Sequence, residues 1–474
     1  MRKVHPYDPQ GGIKHGGFVR MPLAVSPTGS HPGITAQTGA GTQGTGFVLA
    51  IFFVAFFLPF GGEVLGMSIY PLRAVVLILF LPFVARLLMG QAGRLTLPDG
   101  LMAAFSFWVM LTLVYHHGVA RLPYGAVLGV EAFGGYVIGR LLIRNATDYR
   151  KFINMFLITL MIIIVPAFLE FTNPGPGSMV RWGFARVQLN FPHEILYGLF
   201  CSMAVANSYY LYRDSKARLI PAMGVALSTT AMSLSSAPLL AMVLQLGMIL
   251  WDRVMGGRWK LFAWLTLAAY VFLQLFTSRG AVVFLINKVT FSPQTGYMRL
   301  HIWTYGKAAV LDNPIFGIGL NEWPRPTWLA ASVDNFWLLT AMRHGLPGVL
   351  FLLGALALHI ILIIRVQNLD PSRQTIRVAY LVTLVGLMFT LSTVHIWNEL
   401  IVFVMFYLGA GAFLYTSPAE SSGSDPTGGA KQLAPAGRKA ALPLTRFNPS
   451  ALASRATPSP INRHHYFSSE PPAR

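Results

Sequence analysis

Long apolar runs separated by short polar segments make up the chain between residues 46 and 416. A membrane-spanning helix needs about 20 mainly apolar residues. Twelve runs approach or reach that length, and the first and eighth are the shortest. The runs cover residues 46–60, 68–88, 99–116, 121–143, 152–172, 193–212, 218–235, 237–251, 261–277, 346–366, 378–396 and 398–416. We therefore predict an all-α fold, a polytopic transmembrane helical bundle of about 12 spans.

Two segments between the runs are much longer than a turn. They cover residues 173–193 and 278–345, and we expect the second to carry short helices. The flanking stretches, residues 1–45 and 417–474, are rich in Gly, Pro and Ser and show no hydrophobic period. Chains of that composition bury too little apolar surface to fold. The predicted organisation is a transmembrane bundle over residues 46–416 between two disordered tails.

The distribution of charge predicts how the bundle is oriented. Only 11% of the residues are charged, against about a quarter in soluble domains. The net charge is +19, but the basic residues lie between the apolar runs and in the tails, which is typical of membrane topology and not of nucleic-acid binding. With a cytoplasmic N-terminus, 26 of the 36 Lys and Arg residues fall in cytoplasmic tails and loops. We therefore predict a multi-pass protein of the bacterial inner membrane, with both termini cytoplasmic and both long segments outside.

Basic residues in the 278–345 segment need an explanation. Six of the ten remaining Lys and Arg residues lie there, where the positive-inside rule disfavours them. An arginine guanidinium binds phosphate oxygens through two parallel hydrogen bonds. Arginines that converge at the outer membrane surface would therefore suit a lipid-linked diphosphate. The alternative is that single arginines bind lipid headgroups or the ends of helices.

A local pattern predicts a helix within the longer outside segment. If residues 296–310 are helical, Arg299, Trp303 and Lys307 lie on one stripe of that helix. Asn313–Pro314 would end the helix, because proline disfavours helical backbone in the residue before it.

The residues that follow predict a tight turn and a second helix. Gly317 and Gly319 permit a tight backbone path after the first helix. Asp334 and Asn335 are expected to precede or cap a helix that ends at Gly345.

In this order, these pieces resemble the signature region of the O-antigen ligase and polysaccharide polymerase superfamily. Its members show arginine and tryptophan at this spacing, a Pro-x-x-Gly-x-Gly turn, and later His-Asn before an apolar helix with Gly-x-x-Gly. The resemblance covers roughly residues 178–365 and is most specific over residues 297–348. Residues 186–198 also resemble the earlier outside arginine of the family and the helix start that follows it.

The resemblance implies a membrane glycosyltransferase that needs neither a metal nor a cofactor and works at the outer face of the inner membrane. Its substrate would be a glycan linked to undecaprenyl diphosphate, which it polymerises or ligates in exopolysaccharide or O-antigen synthesis. The implied partners are this lipid-linked glycan, membrane lipid and other polysaccharide-assembly proteins, with no nucleic acid.

The resemblance also implies roles for single residues. Carried over by position, Arg186 and Arg299, with Arg343 as a third, would bind the diphosphate. Asp334 and Asn335 would be catalytic, although this chain has Asp334 where the family usually has histidine. A carboxylate near the membrane can act as a general base, but aspartate before a helix is also an ordinary N-cap. The departure at Asp334 puts ligase chemistry in more doubt than polymerase chemistry.

Further polar residues of the same segment are alternatives or additions. His301 and His344 are alternative bases. Trp303, Glu322 and His301 are candidate contacts for the acceptor sugar.

Two other functions fit a polytopic protein. A transporter or flippase for a lipid-linked or anionic solute would place charged residues along a path through several spans, and the few mid-span charges disfavour it. Glu131, in the middle of the fourth run, has two interpretations: a functional role with a pairing to Arg73 or Arg121, or a structural hydrogen bond inside the bundle. A membrane scaffold for polysaccharide assembly would tolerate the loss of every outside arginine.

Overall fold

The computed structural model of the protein describes residues 40–58, 60–64, 67–277, 280–289 and 293–417. Nearly all the secondary structure in these ranges is helical, so the prediction of an all-α polytopic fold is confirmed. Most of both predicted tails, and Arg279 of the longer outside segment, lie outside the described residues.

The helices follow one another with two short hairpins between them. They are α1 (Ala40–Phe57), α2 (Pro71–Leu88), α3 (Leu97–His117), α4 (Leu122–Leu142), α5 (Ala146–Thr172), α6 (Glu194–Ser202), α7 (Val205–Tyr212), α8 (Lys216–Met232), α9 (Ser236–Met255), α10 (Trp259–Phe276), α11 (Gly280–Val289), α12 (Pro293–Asp312), α13 (Phe336–Arg365), α14 (Pro371–Leu391), α15 (Glu399–Ala410) and α16 (Phe413–Thr416). Strand β1 (Gly62–Val64) pairs antiparallel with β2 (Met67–Ile69), and β3 (Val180–Arg181) pairs antiparallel with β4 (Phe184–Ala185).

Every predicted apolar run coincides with helix in the described ranges. Nine helical stretches there are long and apolar enough to cross a membrane, and α1 is apolar over a shorter length, Thr45–Phe57. The boundaries differ most at α13, which begins at Phe336, ten residues before the predicted run at 346–366. The predicted helix before Gly345 and the predicted span after it are therefore two parts of one element.

The sixth predicted run, residues 193–212, forms two helices because a side chain is inserted between them. Gln245 of α9 accepts a hydrogen bond from the Ala206 N–H (3.2 Å) and donates one to the Ser202 carbonyl (3.0 Å). These two backbone groups would bond to each other in a continuous α-helix. The break between α6 and α7 is therefore stabilised by a helix that is distant in sequence.

Helix α4 lies at the centre of the bundle and packs against α2, α3 and α15. A Cβ on Gly139 of α4 would overlap the Phe406 carbonyl oxygen, and a Cβ on Gly409 of α15 would overlap the Tyr136 carbonyl oxygen. Small residues of this kind let membrane helices approach closely. The two glycines thus set the distance between α4 and α15.

A buried ion pair stabilises the end of the bundle where α3 begins. Arg140 Nε lies 2.7 Å from Asp99 Oδ1, and the Tyr136 hydroxyl donates to the same oxygen at 2.7 Å. Arg140 also donates to the Arg94 carbonyl at 2.8 Å. Buried charges in a membrane bundle are costly unless they are paired, and this pair is satisfied within the protein.

Candidate active site

Loops from several parts of the chain meet at the opposite end of the bundle, where α3 ends. Three side-chain hydrogen bonds join these loops in pairs. The Asn190 amide donates to the Phe57 carbonyl at 3.0 Å, the Leu320 N–H donates to the His117 ring at 2.8 Å, and the Asn335 amide donates to the Ser392 carbonyl at 2.7 Å. A cavity of about 320 Å3 is lined by residues from both 190–192 and 397–400. The two segments singled out from the sequence therefore lie at the same end as the segment between α14 and α15.

Helix α13 is interrupted at Gly345, whose φ of 68° and ψ of −176° are not helical. The interruption frees two carbonyl groups from the helix. The Met342 carbonyl accepts from the Ile318 N–H at 2.8 Å, and the Arg343 carbonyl accepts from the Gly319 N–H at 3.0 Å. The predicted glycine turn thus docks its backbone on the break in α13.

Two further bonds hold the same break. The Leu346 N–H donates to the Pro314 carbonyl at 2.7 Å, and the indole of Trp108 on α3 donates to the His344 carbonyl at 2.7 Å. The backbone around Arg343 is therefore fixed from two sides, by the turn after α12 and by α3.

A cavity of about 260 Å3, called the Arg343 cavity below, lies between α4, α13 and residues 392–398. Its charged and polar lining includes Arg73, Glu131, Arg343, His344, His395 and Asn398. The guanidinium of Arg343 has neither a hydrogen bond nor an ion pair with any described residue. An arginine without a protein partner in a cavity favours an anionic ligand.

Glu131 contributes a carboxylate to the Arg343 cavity. Its Oε1 lies 2.7 Å from Arg73 Nε and also accepts from the Tyr70 hydroxyl. Burial and the nearby carboxylate raise the pKa of Tyr70, so the hydroxyl keeps its proton. Within the described residues, Glu131 Oε2 is buried without a hydrogen-bond partner. The predicted pairing of Glu131 with Arg73 is confirmed, and its second oxygen is left for other contacts.

His395 enters the same cavity from the segment between α14 and α15. Its ring stacks on Phe336 (centroids 6.2 Å apart) and on Trp397 (5.7 Å). Its Nδ1 is buried without a partner, and no described residue bonds to Nε2. Burial, together with the positive charge of Arg343, lowers the pKa of His395 to about 3. The imidazole is therefore neutral near neutral pH.

Arg299 and Asp334 face each other across the junction of α12 and α13. Arg299 Nε lies 3.9 Å from Asp334 Oδ2; the arginine side chain is 19% exposed and the aspartate 43%. Burial lowers the pKa of Arg299, and the charge of Asp334 partly opposes this effect. The cap of α13 is Asn335, which accepts from the Leu338 N–H at 2.9 Å and donates to the Ser392 carbonyl at 2.7 Å. The predicted helix 296–310 is confirmed as part of α12.

Arg186 belongs to a separate cluster. Its guanidinium lies 2.5 Å from Glu194 Oε1 and donates to Ser235 Oγ at 2.8 Å. Burial lowers the pKa of Arg186, while the charge of Glu194 opposes the effect. Among the described residues, no contact joins Arg186 to Arg299 or Arg343. The structure therefore does not bring the three predicted diphosphate ligands together in one cluster.

The predicted acceptor contacts lie outside the Arg343 cavity. Trp303 is 48% exposed, and the ring of His301 packs edge-on against Trp328 at 5.2 Å. The Glu322 side chain is 85% exposed and lies 3.4 Å from Arg325. Their role as acceptor contacts stays a prediction.

His344, one of the two alternative bases, is placed differently. It lines the Arg343 cavity, and its Nδ1 lies 2.7 Å from Thr112 Oγ1. One of its two ring nitrogens is therefore already bonded within the protein.

Part of the candidate site lies in a region of the chain that is similar to a known protein family. Residues 221–353, from within α8 to within α13, match the family model described as O-Antigen ligase. Over these residues the chain is similar to the O-antigen ligases. The resemblance inferred from the sequence is confirmed for these residues. Comparison with curated proteins gave no match.

The O-antigen ligase region contains Arg299, Asp334, Asn335 and Arg343, all singled out from the sequence. His395 lies beyond it and was missed. The predicted run 378–396 placed His395 inside a helix, whereas α14 ends at Leu391. The available signal was the pair of polar residues His395 and Asn398, close together where one predicted apolar run ends and the next begins.

Proposed function

We propose that this O-antigen ligase-like protein is a membrane glycosyltransferase that polymerises glycan units linked to undecaprenyl diphosphate. The reaction would take place at the outer face of the bacterial inner membrane, in exopolysaccharide or O-antigen synthesis. The observation that carries this proposal is Arg343, which lines a cavity and has no partner among the described residues. Both Arg343 and Arg299 lie within the region matched by the family model. The apolar helices around the cavity suit a lipid-linked donor.

The proposed reaction gives each arginine a task. Arg343, and Arg299 at the α12–α13 junction, would bind the diphosphate oxygens and stabilise the charge on the leaving group. The acceptor hydroxyl must lose its proton to a base while its oxygen attacks the anomeric carbon. Asp334 and His395 are two candidate bases at this end of the bundle.

Polymerisation is proposed over ligation because of Asp334. The superfamily usually has histidine at this position, and the sequence departs from that pattern where ligase chemistry would use it. The experiments below therefore distinguish a polymerised product from a ligated one.

The first test replaces single arginines in the native host. A charge-assisted hydrogen bond contributes about 1.5–3 kcal/mol, so Arg299→Ala or Arg343→Ala should reduce polymer formation roughly 10- to 150-fold. Arg213→Ala is the matched control, because Arg213 lies on the surface at the end of α7, where its side chain approaches Asp214 and the ring of Tyr210. Normal polymer in both cavity-side variants, at equal protein levels, would contradict the proposal.

The lipid-linked species in a deletion strain then separate the two chemistries. Loss of a polymerase leaves single glycan units on the lipid, whereas loss of a ligase leaves long chains on the lipid. A transporter would instead leave its substrate on the cytoplasmic side. We expect single units on the outer side.

A further inference from the structure

We propose that His395, and not Asp334, is the base that deprotonates the acceptor hydroxyl, and that the acceptor sugar enters the Arg343 cavity. This inference rests on the glycosyl transfer proposed above. It assigns a catalytic residue outside the O-antigen ligase region, in the segment between α14 and α15.

The geometry makes the imidazole of His395 available to a ligand. Stacking on Phe336 and Trp397 fixes the plane of the ring without using either nitrogen. Neither nitrogen has a partner among the described residues, although the ring lines a cavity. A buried polar atom without a partner costs free energy, so this arrangement is best explained by a ligand that completes it.

The environment of His395 within the protein favours the neutral imidazole. Burial and the positive charge of Arg343 both disfavour the imidazolium and lower the pKa of His395 to about 3. A diphosphate bound to Arg343 would bring negative charge next to His395 and raise its affinity for a proton. His395 would therefore become an effective base only when the donor is in place.

Glu131, Arg73 and His344 also line the cavity, and each has a partner within the protein. Arg73 and Tyr70 bind Glu131 through Oε1. His344 is bonded through Nδ1 to Thr112.

Asp334 does not line the cavity, is 43% exposed and faces Arg299. We assign Asp334 a positioning role: its carboxylate would hold the Arg299 guanidinium in place for the diphosphate.

In the proposed step, the His395 imidazole accepts a proton while one bond to the anomeric carbon forms and another breaks. A ring nitrogen of His395 takes the proton of the acceptor hydroxyl, and the acceptor oxygen forms a bond to the anomeric carbon of the donor. The bond from that carbon to the diphosphate oxygen breaks, and the lipid diphosphate leaves with the electron pair. The imidazolium then returns its proton to water, so no oxidant, reductant or further reactant is needed.

The test uses the full chain in lipid nanodiscs, with the lipid-linked glycan extracted from the deletion strain as donor and acceptor. His395→Phe preserves an aromatic ring that can stack on Phe336 and Trp397 and removes only the nitrogens. General base catalysis contributes roughly 10²- to 10⁴-fold, so release of lipid diphosphate should fall by that factor. Retention of the donor on the immobilised protein should stay at the wild-type level. His464→Phe is the same exchange in the C-terminal segment, outside the described residues, and should change neither quantity.

Further variants keep the inference falsifiable. His395→Gln replaces His395→Phe if the latter melts well below the wild type. Asp334→Asn should weaken donor retention together with release, as expected for a residue that positions Arg299. Full release by both His395 variants, with a 10²-fold or greater loss in Asp334→Asn, would overturn the inference and leave the proposed function intact. No release by the wild-type protein would overturn both.

Discussion

Gly345→Ala should destabilise the whole active-site end of the bundle. Gly345 has φ 68° and ψ −176°, a region of backbone conformation that is essentially restricted to glycine. A Cβ at this position would also overlap the Ile315 carbonyl oxygen. The substitution therefore either strains α13 or displaces the turn that holds Arg343.

The magnitude follows from the contacts at the break. A residue other than glycine in this conformation costs about 1–3 kcal/mol. If the turn moves, three backbone hydrogen bonds are lost: Ile318 to Met342, Gly319 to Arg343, and Leu346 to Pro314. At about 0.5–1.5 kcal/mol each, these bonds add about 1.5–4.5 kcal/mol to the backbone cost. The total destabilisation is therefore roughly 2.5–7.5 kcal/mol, a large part of the typical stability of a folded protein.

Thermal unfolding of the purified protein in detergent is the assay. At roughly 2 °C per kcal/mol for a chain of this size, Gly345→Ala should melt roughly 5–15 °C below the wild type. Gly354→Ala, in the same helix α13, is the control. Its Cβ would meet only Leu101 Cδ1 of α3, at 3.4 Å. That variant should keep or slightly raise the melting temperature, since alanine favours helix by about 1 kcal/mol over glycine. Equal melting of the two variants would refute the reasoning.

Two further predictions concern packing and pH. Gly139→Ala should separate α4 from α15 and lower the melting temperature. Gly247→Ala, with nothing within 4 Å of its Cβ, should leave the melting temperature unchanged. Equal melting temperatures of the two variants would contradict the close approach of α4 and α15. The pKa of His395 is about 3 in the folded protein against an ordinary 6.5, so the unfolded chain binds the extra proton and stability falls as pH drops from 6.5 toward 3. Melting curves of His395→Gln should depend less on pH over that range, and parallel wild-type and variant profiles would show that the imidazole is not buried as described.

The helices could be predicted because each apolar run must satisfy its own backbone in the membrane. The length of the apolar runs was therefore enough to locate these helices along the sequence. What it could not predict is where a helix breaks. The gap between α6 and α7 depends on Gln245, about 40 residues away, and the apolar pattern runs through the gap without a signal.

The candidate site also has features that local sequence predicts and features that depend on distant residues. Local rules predicted the α12 helix, its glycine turn and the cap of α13, because proline, glycine and asparagine act on their immediate neighbours. The Arg343 cavity is formed by residues from three distant parts of the chain. Glu131 was noticed because a mid-span carboxylate is unusual, but nothing in the sequence placed it beside His395.

Whether an arginine is paired with a buried carboxylate distinguishes a structural from a ligand-binding role. This criterion is clearer than the side of the membrane on which the arginine lies. Arg140 is paired with Asp99 and Arg186 with Glu194, so both charges are compensated within the protein. A ligand at either site would have to displace a buried carboxylate, which is costly. Among the described residues, Arg343 has no such competitor, and the carboxylate facing Arg299 at 3.9 Å is 43% exposed. On the proposed function, a diphosphate would therefore displace no buried carboxylate at Arg343, and this difference favours the cavity at the α13 break over the cluster around Arg186.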